Sequence, residues 1–222
     1  MNQPFPSKTP ARILNAAEML FAQHGYDGTS MRNITRKAGV NLAASHYHLG
    51  DKESLYALVF TRRLQPVNEA RLARLQQAEL AAAGRPVPLP LALDIMARPL
   101  FELCADARGS GRYFARILGR SLTDPLPFMD GLLARQFQPA MARFAQALRR
   151  HAPNLSPEEF LWRLSFVIGA MHHTLATLHC MQDLTRGICR NDDHGKALTL
   201  FVEFAALALT APATANLKSP GA

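Results

Sequence analysis

The hydrophobic residues of this chain recur at intervals of three and four positions over long stretches, and glycine or proline interrupts these stretches. Such spacing is typical of amphipathic α-helices, whereas the strict alternation that marks half-buried strands is scarce. The chain has 222 residues, of which 48% are hydrophobic, so it can bury a sizeable core. We therefore expect an all-α fold, and the pattern excludes a β-sandwich or a doubly wound sheet.

The interruptions divide the chain into about nine helices in two units. A supporting helix over 11–24 precedes two short helices, and a long helix begins at Lys52 and is expected to bend or break at Pro66. Further helices are predicted over 89–106, 110–122, 127–151, 157–183 and 192–210. The predicted organisation is a flexible arm at 1–10, a small three-helix domain at 11–51, a helical bundle at 52–211 and a flexible tail at 212–222.

The chain is basic, with a formal net charge of +8 and a pI near 9.9, which favours a polyanionic partner without identifying it. Its three cysteines form neither an even disulfide framework nor a zinc-type pair, which indicates a reducing compartment. The first twelve residues lack the apolar run of a secretory signal. The stretch 164–181 has no formal charge, but its three histidines make burial in lipid costly, so we expect a soluble, cytoplasmic protein.

Two short helices that are joined by a glycine turn and preceded by a supporting helix have the arrangement of a helix-turn-helix. The residues that carry this pattern are, in order, Ala16-Ala17, Phe21, Gly25-Tyr26, Thr29-Ser30-Met31, Ile34, Ala38-Gly39-Val40, Ala43-Ala44, Tyr47-His48 and Gly50-Asp51-Lys52-Glu53-Ser54-Leu55. Over residues 11 to 58 the chain resembles the TetR family of one-component transcriptional repressors. The resemblance implies a helix-turn-helix domain at 11–51 that binds operator DNA. It also implies a bundle at 52–211 for effector binding and dimerisation, although beyond residue 58 only length and helix number match.

We expect residues 42–48 to form the recognition helix, because the N-terminal residues of such a helix reach base edges in the major groove. The family commonly has tyrosine where this chain has His46 and phenylalanine where it has Leu49. The first difference changes the expected operator preference, while Leu49 should keep a packing role. The alternative is a three-helix core in which the tyrosine and histidines only pack or are solvated. The predicted DNA-contacting residues are Ser30, Arg32, Asn41, Leu42, Ala43, Ala44, His46, Tyr47, His48 and Lys52.

Large or soft apolar residues recur at helical spacing in the middle helices, as the lining of a ligand cavity would require. They could equally fill an ordinary core, since cores and pockets use the same residue types. As a cavity lining they favour a hydrophobic or aromatic effector. The predicted ligand-binding residues are Phe101, Cys104, Phe114, Ile117, Leu118, Phe137, Met141, Phe144, His172 and His173.

His172, His173, His179 and Cys180 form an unusual cluster in the penultimate predicted helix. Residues seven apart share a helix face but lie about 10 Å apart along the axis, so a single metal ion would need ligands from another helix. Three interpretations stay open, namely metal binding, contact with the effector and ordinary burial. We predict no bound metal and no cofactor.

The last two long predicted helices are apolar around more than one face, and small residues would permit close helix packing. These features favour a self-complementary four-helix interface between two copies of the chain. The alternative is that the monomer buries both helices itself. The predicted interface residues are Leu161, Leu164, Ile168, Gly169, Leu175, Leu198, Phe201, Val202, Ala205 and Leu209.

The sequence contains no nucleophile elbow, phosphate-binding loop, dinucleotide fingerprint or zinc-protease motif, so we do not expect an enzyme. The predicted function is that of a homodimeric, ligand-responsive repressor, released from a palindromic operator by a small, largely apolar effector. The alternative functions are a helical small-molecule carrier and a metal-sensing regulator. The sequence pattern is the same for an activator as for a repressor.

Overall fold

A computed structural model describes residues 8–41, 49–105, 111–123, 126–190 and 192–213. Within these ranges the structure contains nine α-helices and no strand, as the sequence pattern predicts. Their bounds are α1 (Lys8–His24), α2 (Met31–Ala38), α3 (Lys52–Ala82), α4 (Leu89–Ala105), α5 (Gly111–Thr123), α6 (Asp130–Arg149), α7 (Pro157–Thr177), α8 (Met181–Leu184) and α9 (His194–Thr210).

Helices α1 and α2 pack against each other and form a small core. The Ser30 hydroxyl accepts a hydrogen bond from the backbone N–H of Asn33 at 3.2 Å and so caps α2. Gly39 ends α2 in the left-handed conformation at φ +62°, which explains why the turn contains a glycine. The buried face consists of Ile13, Leu14, Ala17, Phe21, Ile34 and Ala38.

The first helix is longer than predicted. It begins at Lys8, and Pro10 is buried, so the expected flexible arm at 1–10 is wrong for residues 8–10. Proline is tolerated in the first turn because the N–H that it lacks would have no partner inside the helix. Residues 1–7 and 214–222, to which the rest of the predicted arm and most of the predicted tail belong, lie outside the described residues.

Helix α3 runs without a break through Pro66, so of the bend or break expected there, the break does not occur. Pro66 is exposed, while its neighbours Leu64 and Val67 are buried in the bundle. Packing on the inner face therefore holds the helix together across one missing backbone hydrogen bond. The helix instead ends at Ala82, before the glycine-proline segment.

Helix α4 lies at the centre of the bundle and packs against α3, α5, α6 and α9. Its inner face carries Leu93, Met96, Leu100 and Phe101, and the ring of Phe101 lies 6.0 Å from that of Phe201 in α9. Helix α7 packs against α5 and α9. The predicted helix 157–183 is divided, because a short 3₁₀ turn at Leu178–Cys180 separates α7 from α8. Among the described helices, none has the length and apolarity needed to span a membrane.

Candidate functional site

The exposed face of the α1–α2 unit is basic. Residues 8–41 contain five lysines and arginines against two acidic residues, and one of these two, Glu18, is fully buried. Arg32, Arg36 and Lys37 of α2 are exposed. This unit therefore offers cations, but little negative charge, to a polyanion.

Of the predicted DNA-contacting residues, the structure places Ser30, Arg32 and Asn41 on the exposed surface. The prediction did not include Arg36 and Lys37, although two adjacent cations at the end of a short helix are a visible signal. Six further predicted contacts lie outside the described residues, namely Leu42, Ala43, Ala44, His46, Tyr47 and His48. Leu49 is buried, in line with the packing role expected of it.

Lys52 is engaged within the chain. Its Nζ donates a hydrogen bond to the carbonyl oxygen of Tyr26 at 3.2 Å and lies 3.9 Å from the centre of the Tyr26 ring. The interaction of a cation with an aromatic face adds to the hydrogen bond. Lys52, predicted as a DNA-contacting residue at a helix start, thus also joins α3 to the turn after α1.

Two further sets of contacts fix α1 to the bundle. The carboxylate of Glu18 accepts hydrogen bonds from Arg62 and from Arg63, the latter with Nε at 2.8 Å. The Tyr26 ring lies 5.4 Å from that of Tyr56 in α3 and 5.1 Å from that of Phe128. These charge and ring contacts pack α1 and the turn after it against α3.

A cavity of about 1050 Å³ lies between α1, α3, α5, α6 and α7. Its volume is in the range of sites that hold drug-sized molecules. The cavity wall includes part of α1, which belongs to the small basic unit. The lining residues are Ala22, Gln23, Arg71, Arg116, Gly119, Arg120, Phe137, Met141, Ser165, Ile168, Gly169, Met171, His172, His173, Ala176 and Thr177.

Four of the ten predicted ligand-binding residues line this cavity, namely Phe137, Met141, His172 and His173. The other six are buried in the core and are not among the lining residues of this cavity. Helical spacing identifies apolar residues but not whether their face meets a neighbouring helix or a gap. The six core residues are Phe101, Cys104, Phe114, Ile117, Leu118 and Phe144.

The sequence reasoning missed Arg71, which is fully buried at the cavity wall. Its Nε donates to the carbonyl oxygen of Met96 at 2.6 Å and its Nη1 to Oδ1 of Asn68 at 3.2 Å. A signal was available, because Arg71 interrupts the apolar stripe of α3 between Leu64 and Leu75. A cation on a buried helix face requires a partner.

His172 is buried beside Phe137, with 6.1 Å between ring centres. Burial, and secondarily the charge of Arg71, lower the pKa of His172 to about 4, so the imidazole is neutral at neutral pH. His173 is exposed, and the Sγ of Cys180 donates to the carbonyl oxygen of Thr177 at 2.9 Å. No group of three potential metal ligands occurs among the residues that the structure describes.

The predicted interface residues divide into two groups. Leu161 is 57% exposed on α7, whereas Ile168 and Gly169 line the cavity and Val202 is half-buried. The remaining six are buried inside the single chain and do not form its exposed surface. These six are Leu164, Leu175, Leu198, Phe201, Ala205 and Leu209.

The outward faces of α7 and α9 nevertheless remain apolar. Each helix buries one face in the bundle and leaves large side chains on the opposite face, as the expectation of a surplus apolar face required. Because both faces are apolar, helical spacing alone does not distinguish the exposed members from the buried ones. The exposed side chains are Leu161, Trp162 and Phe166 on α7, and Leu200, Phe204 and Leu207 on α9.

Comparison with known families identifies the chain. Residues 13–59 match the family of bacterial regulatory proteins named after tetR, and residues 94–207 match the tetracyclin repressor-like C-terminal domain. Because the second match covers half of the chain, the protein belongs to the TetR family, as the residues of the first unit indicated.

Curated relatives match mainly in the N-terminal part. The transcriptional repressor AcnR of Corynebacterium efficiens is 30% identical over 94 residues, which are 40% of this chain and 50% of that protein. The biofilm operon regulator IcaR of Staphylococcus epidermidis is 36% identical over 45 residues, which are 20% of this chain and 24% of that protein. The chain thus spans half or less of the length of these relatives.

Solved structures match nearly the whole chain at low identity. The fatty acid degradation regulator FadR from Bacillus halodurans has a TM-score of 0.67 at 16% identity and covers 94% of this chain and 98% of that one. A SmeT–triclosan complex has a TM-score of 0.60 at 20% identity and covers 90% and 91%. At these identities the likeness concerns the fold.

Proposed function

We propose that the protein is a homodimeric transcriptional repressor that binds a palindromic operator and leaves it when a small effector occupies the bundle cavity. The observation that carries this proposal is the composition of the cavity wall, which α1 shares with four helices of the bundle. A ligand in this position touches the DNA-binding unit directly. The relatives AcnR and IcaR are named as a repressor and a negative regulator, which supports repression as the proposed activity.

The contact between α1 and α5 provides the coupling. Gln23 near the end of α1 and Arg120 on α5 both line the cavity, and the two helices pack against each other. Gly25 has a positive φ of +73°, and a Cβ there would lie 2.7 Å from Nη1 of Arg120. A ligand that separates α5 from α1 therefore moves the supporting helix of the helix-turn-helix. This movement changes the distance between the recognition helices of the two subunits.

The second copy binds through the outward faces of α7 and α9. Trp162 and Phe166 lie one turn apart on α7, with ring centres 6.0 Å apart, and Phe204 is 52% exposed on α9. A two-fold axis would then bury both faces at once.

Structural neighbours support a small-molecule site in this fold, because one of them is described as a complex with triclosan. The size of the cavity and the apolar part of its lining are consistent with such a ligand. The predicted effector therefore remains partly apolar.

Selection from a pool of randomised DNA duplexes tests the proposal. We expect enrichment of two inverted half-sites about one helical turn apart, with sequence preference retained at moderate salt. The Arg36→Ala variant should weaken all sequences about equally, because a phosphate contact carries no sequence information. A wild-type protein that binds all duplexes equally would contradict the proposal.

A further inference from the structure

Arg71 carries a guanidinium nitrogen that has no partner in the described part of the chain. Its Nε and Nη1 are hydrogen-bonded as given above, but Nη2 is buried without an acceptor. Burial lowers the pKa of Arg71 to about 10, so the side chain is still charged at neutral pH. A buried charge with an unsatisfied donor is unfavourable unless another group compensates it.

The guanidinium is also held in a fixed position. The Asn68 side chain accepts from Arg71 and donates through Nδ2 to the carbonyl oxygen of Gln136 at 2.6 Å, which sets the orientation of the amide. Contacts from α3, α4 and α6 therefore hold the planar fork before any ligand arrives. Such a fork matches the two oxygens of a carboxylate in geometry as well as in charge.

The wall of the cavity around Arg71 combines positively charged and apolar residues. Arg116 and Arg120 line it as well, and none of its lining residues is acidic. Its apolar part includes Phe137, Met141 and Ile168. None of the salt bridges in the described part of the chain involves Arg71.

We propose that the effector is an organic carboxylate with an apolar body, and that its carboxylate pairs with Arg71. The carboxylate supplies the acceptor that Nη2 lacks and neutralises the buried charge, while the body fills the space beside the apolar wall. A primary amide of the same shape offers Nη2 a carbonyl acceptor but leaves the buried charge without a counter-ion. The regulatory consequence rests on the proposed function, but the binding chemistry does not.

Calorimetric titration with matched probes tests the assignment. The probes are decanoate and 2-naphthoate, each compared with its primary amide, which keeps the shape and removes the charge. We expect at least one carboxylate to bind wild-type protein about tenfold or more tightly than its amide. Neither carboxylate binding at millimolar concentration, or an acid and its amide binding equally, would overturn the proposal.

Two variants test which arginine of the cavity pairs with the carboxylate. Arg71→Gln should reduce the preference for the acid to about twofold or less, whereas Arg116→Gln, at an exposed position of the same cavity, should keep most of it. If Arg71→Gln does not fold, Arg71→Lys keeps a charge but loses the fork, and its preference should fall below that of wild type. A preference that is unchanged in the folded Arg71 variant would overturn the role of Arg71.

Operator binding, measured separately on the same protein, distinguishes this inference from the proposed function. Sequence-specific DNA binding without carboxylate preference would overturn the inference alone. Carboxylate binding by a protein without sequence-specific DNA binding would support the inference and contradict the proposed function.

Discussion

Two buried charges of this chain differ in what surrounds them. Glu18 is completely buried, but Arg62 and Arg63 both donate hydrogen bonds to it. Its charge is therefore compensated, and the contacts join α1 to α3. Arg71 is equally buried, but one of its nitrogens has no partner among the described residues. A compensated charge indicates a structural role, and an uncompensated one beside a cavity indicates a ligand.

The depressed pKa of His172 predicts how stability depends on pH. Its value of about 4 lies below the ordinary 6.5, so the unfolded chain binds more protons between these values. Stability contributed by the neutral imidazole should therefore fall, by up to about 3 kcal/mol, as the pH drops from 6.5 to 4. Urea unfolding of wild type and His172→Gln across this range measures the difference.

His173→Gln is the matched control, because His173 is adjacent but exposed. Its pH dependence should follow that of wild type. If His172→Gln also follows wild type throughout this range, His172 does not have the environment described for it.

At the scale of the helices, close packing between α5 and α7 closes one side of the cavity. A Cβ at Gly119 would lie 2.7 Å from Cβ of Ala176. The two helices are therefore in close contact here, with no flexible side chain between them that could move aside. Both residues also line the cavity. The distance between these helices therefore determines the cavity's shape.

Gly119→Ala should destabilise the protein by about 1–3 kcal/mol, because the added methyl group forces α5 and α7 apart. Gly195→Ala is the control, since nothing lies within 4 Å of its Cβ position, and alanine should there be neutral or slightly stabilising. Thermal unfolding measures both. Equal melting temperatures for the two variants would contradict the described packing.

The helices themselves could be predicted from the sequence, and most of their bounds agree within a few residues. Apolar spacing, glycine stops and the Ser30 cap are local signals, and the structure uses them. Pro66 does not interrupt α3, because packing on the inner face outweighs the local preference for a break. Which apolar face lines a cavity and which meets another helix depends on tertiary packing, so the burial of Phe101 and Phe201 in the core could not be predicted from spacing.

At the scale of the whole molecule, the outward faces of α7 and α9 predict how the chain assembles. Trp162→Glu and Phe204→Glu should each convert a dimer into monomers, because a charge without a partner is costly in an apolar interface. Both side chains are more than half exposed in the single chain, so its fold should persist. Light scattering at micromolar concentration measures the change.

Leu80→Glu is the matched control, because Leu80 is 74% exposed near the end of α3, away from these faces. It should leave the molecular mass unchanged. A wild-type protein that is monomeric at micromolar concentration would contradict the proposed assembly.

Linkage between the cavity and the operator tests whether a ligand in the cavity releases the protein from DNA. The affinity of the tightest-binding carboxylate probe is measured by calorimetry for the free protein and for its complex with the selected operator duplex. We expect weaker probe binding to the complex, by a factor of about 5 to 150, and an equal loss of operator affinity when the cavity is saturated. Equal probe affinity in the two states would contradict release of the operator by a ligand in the cavity.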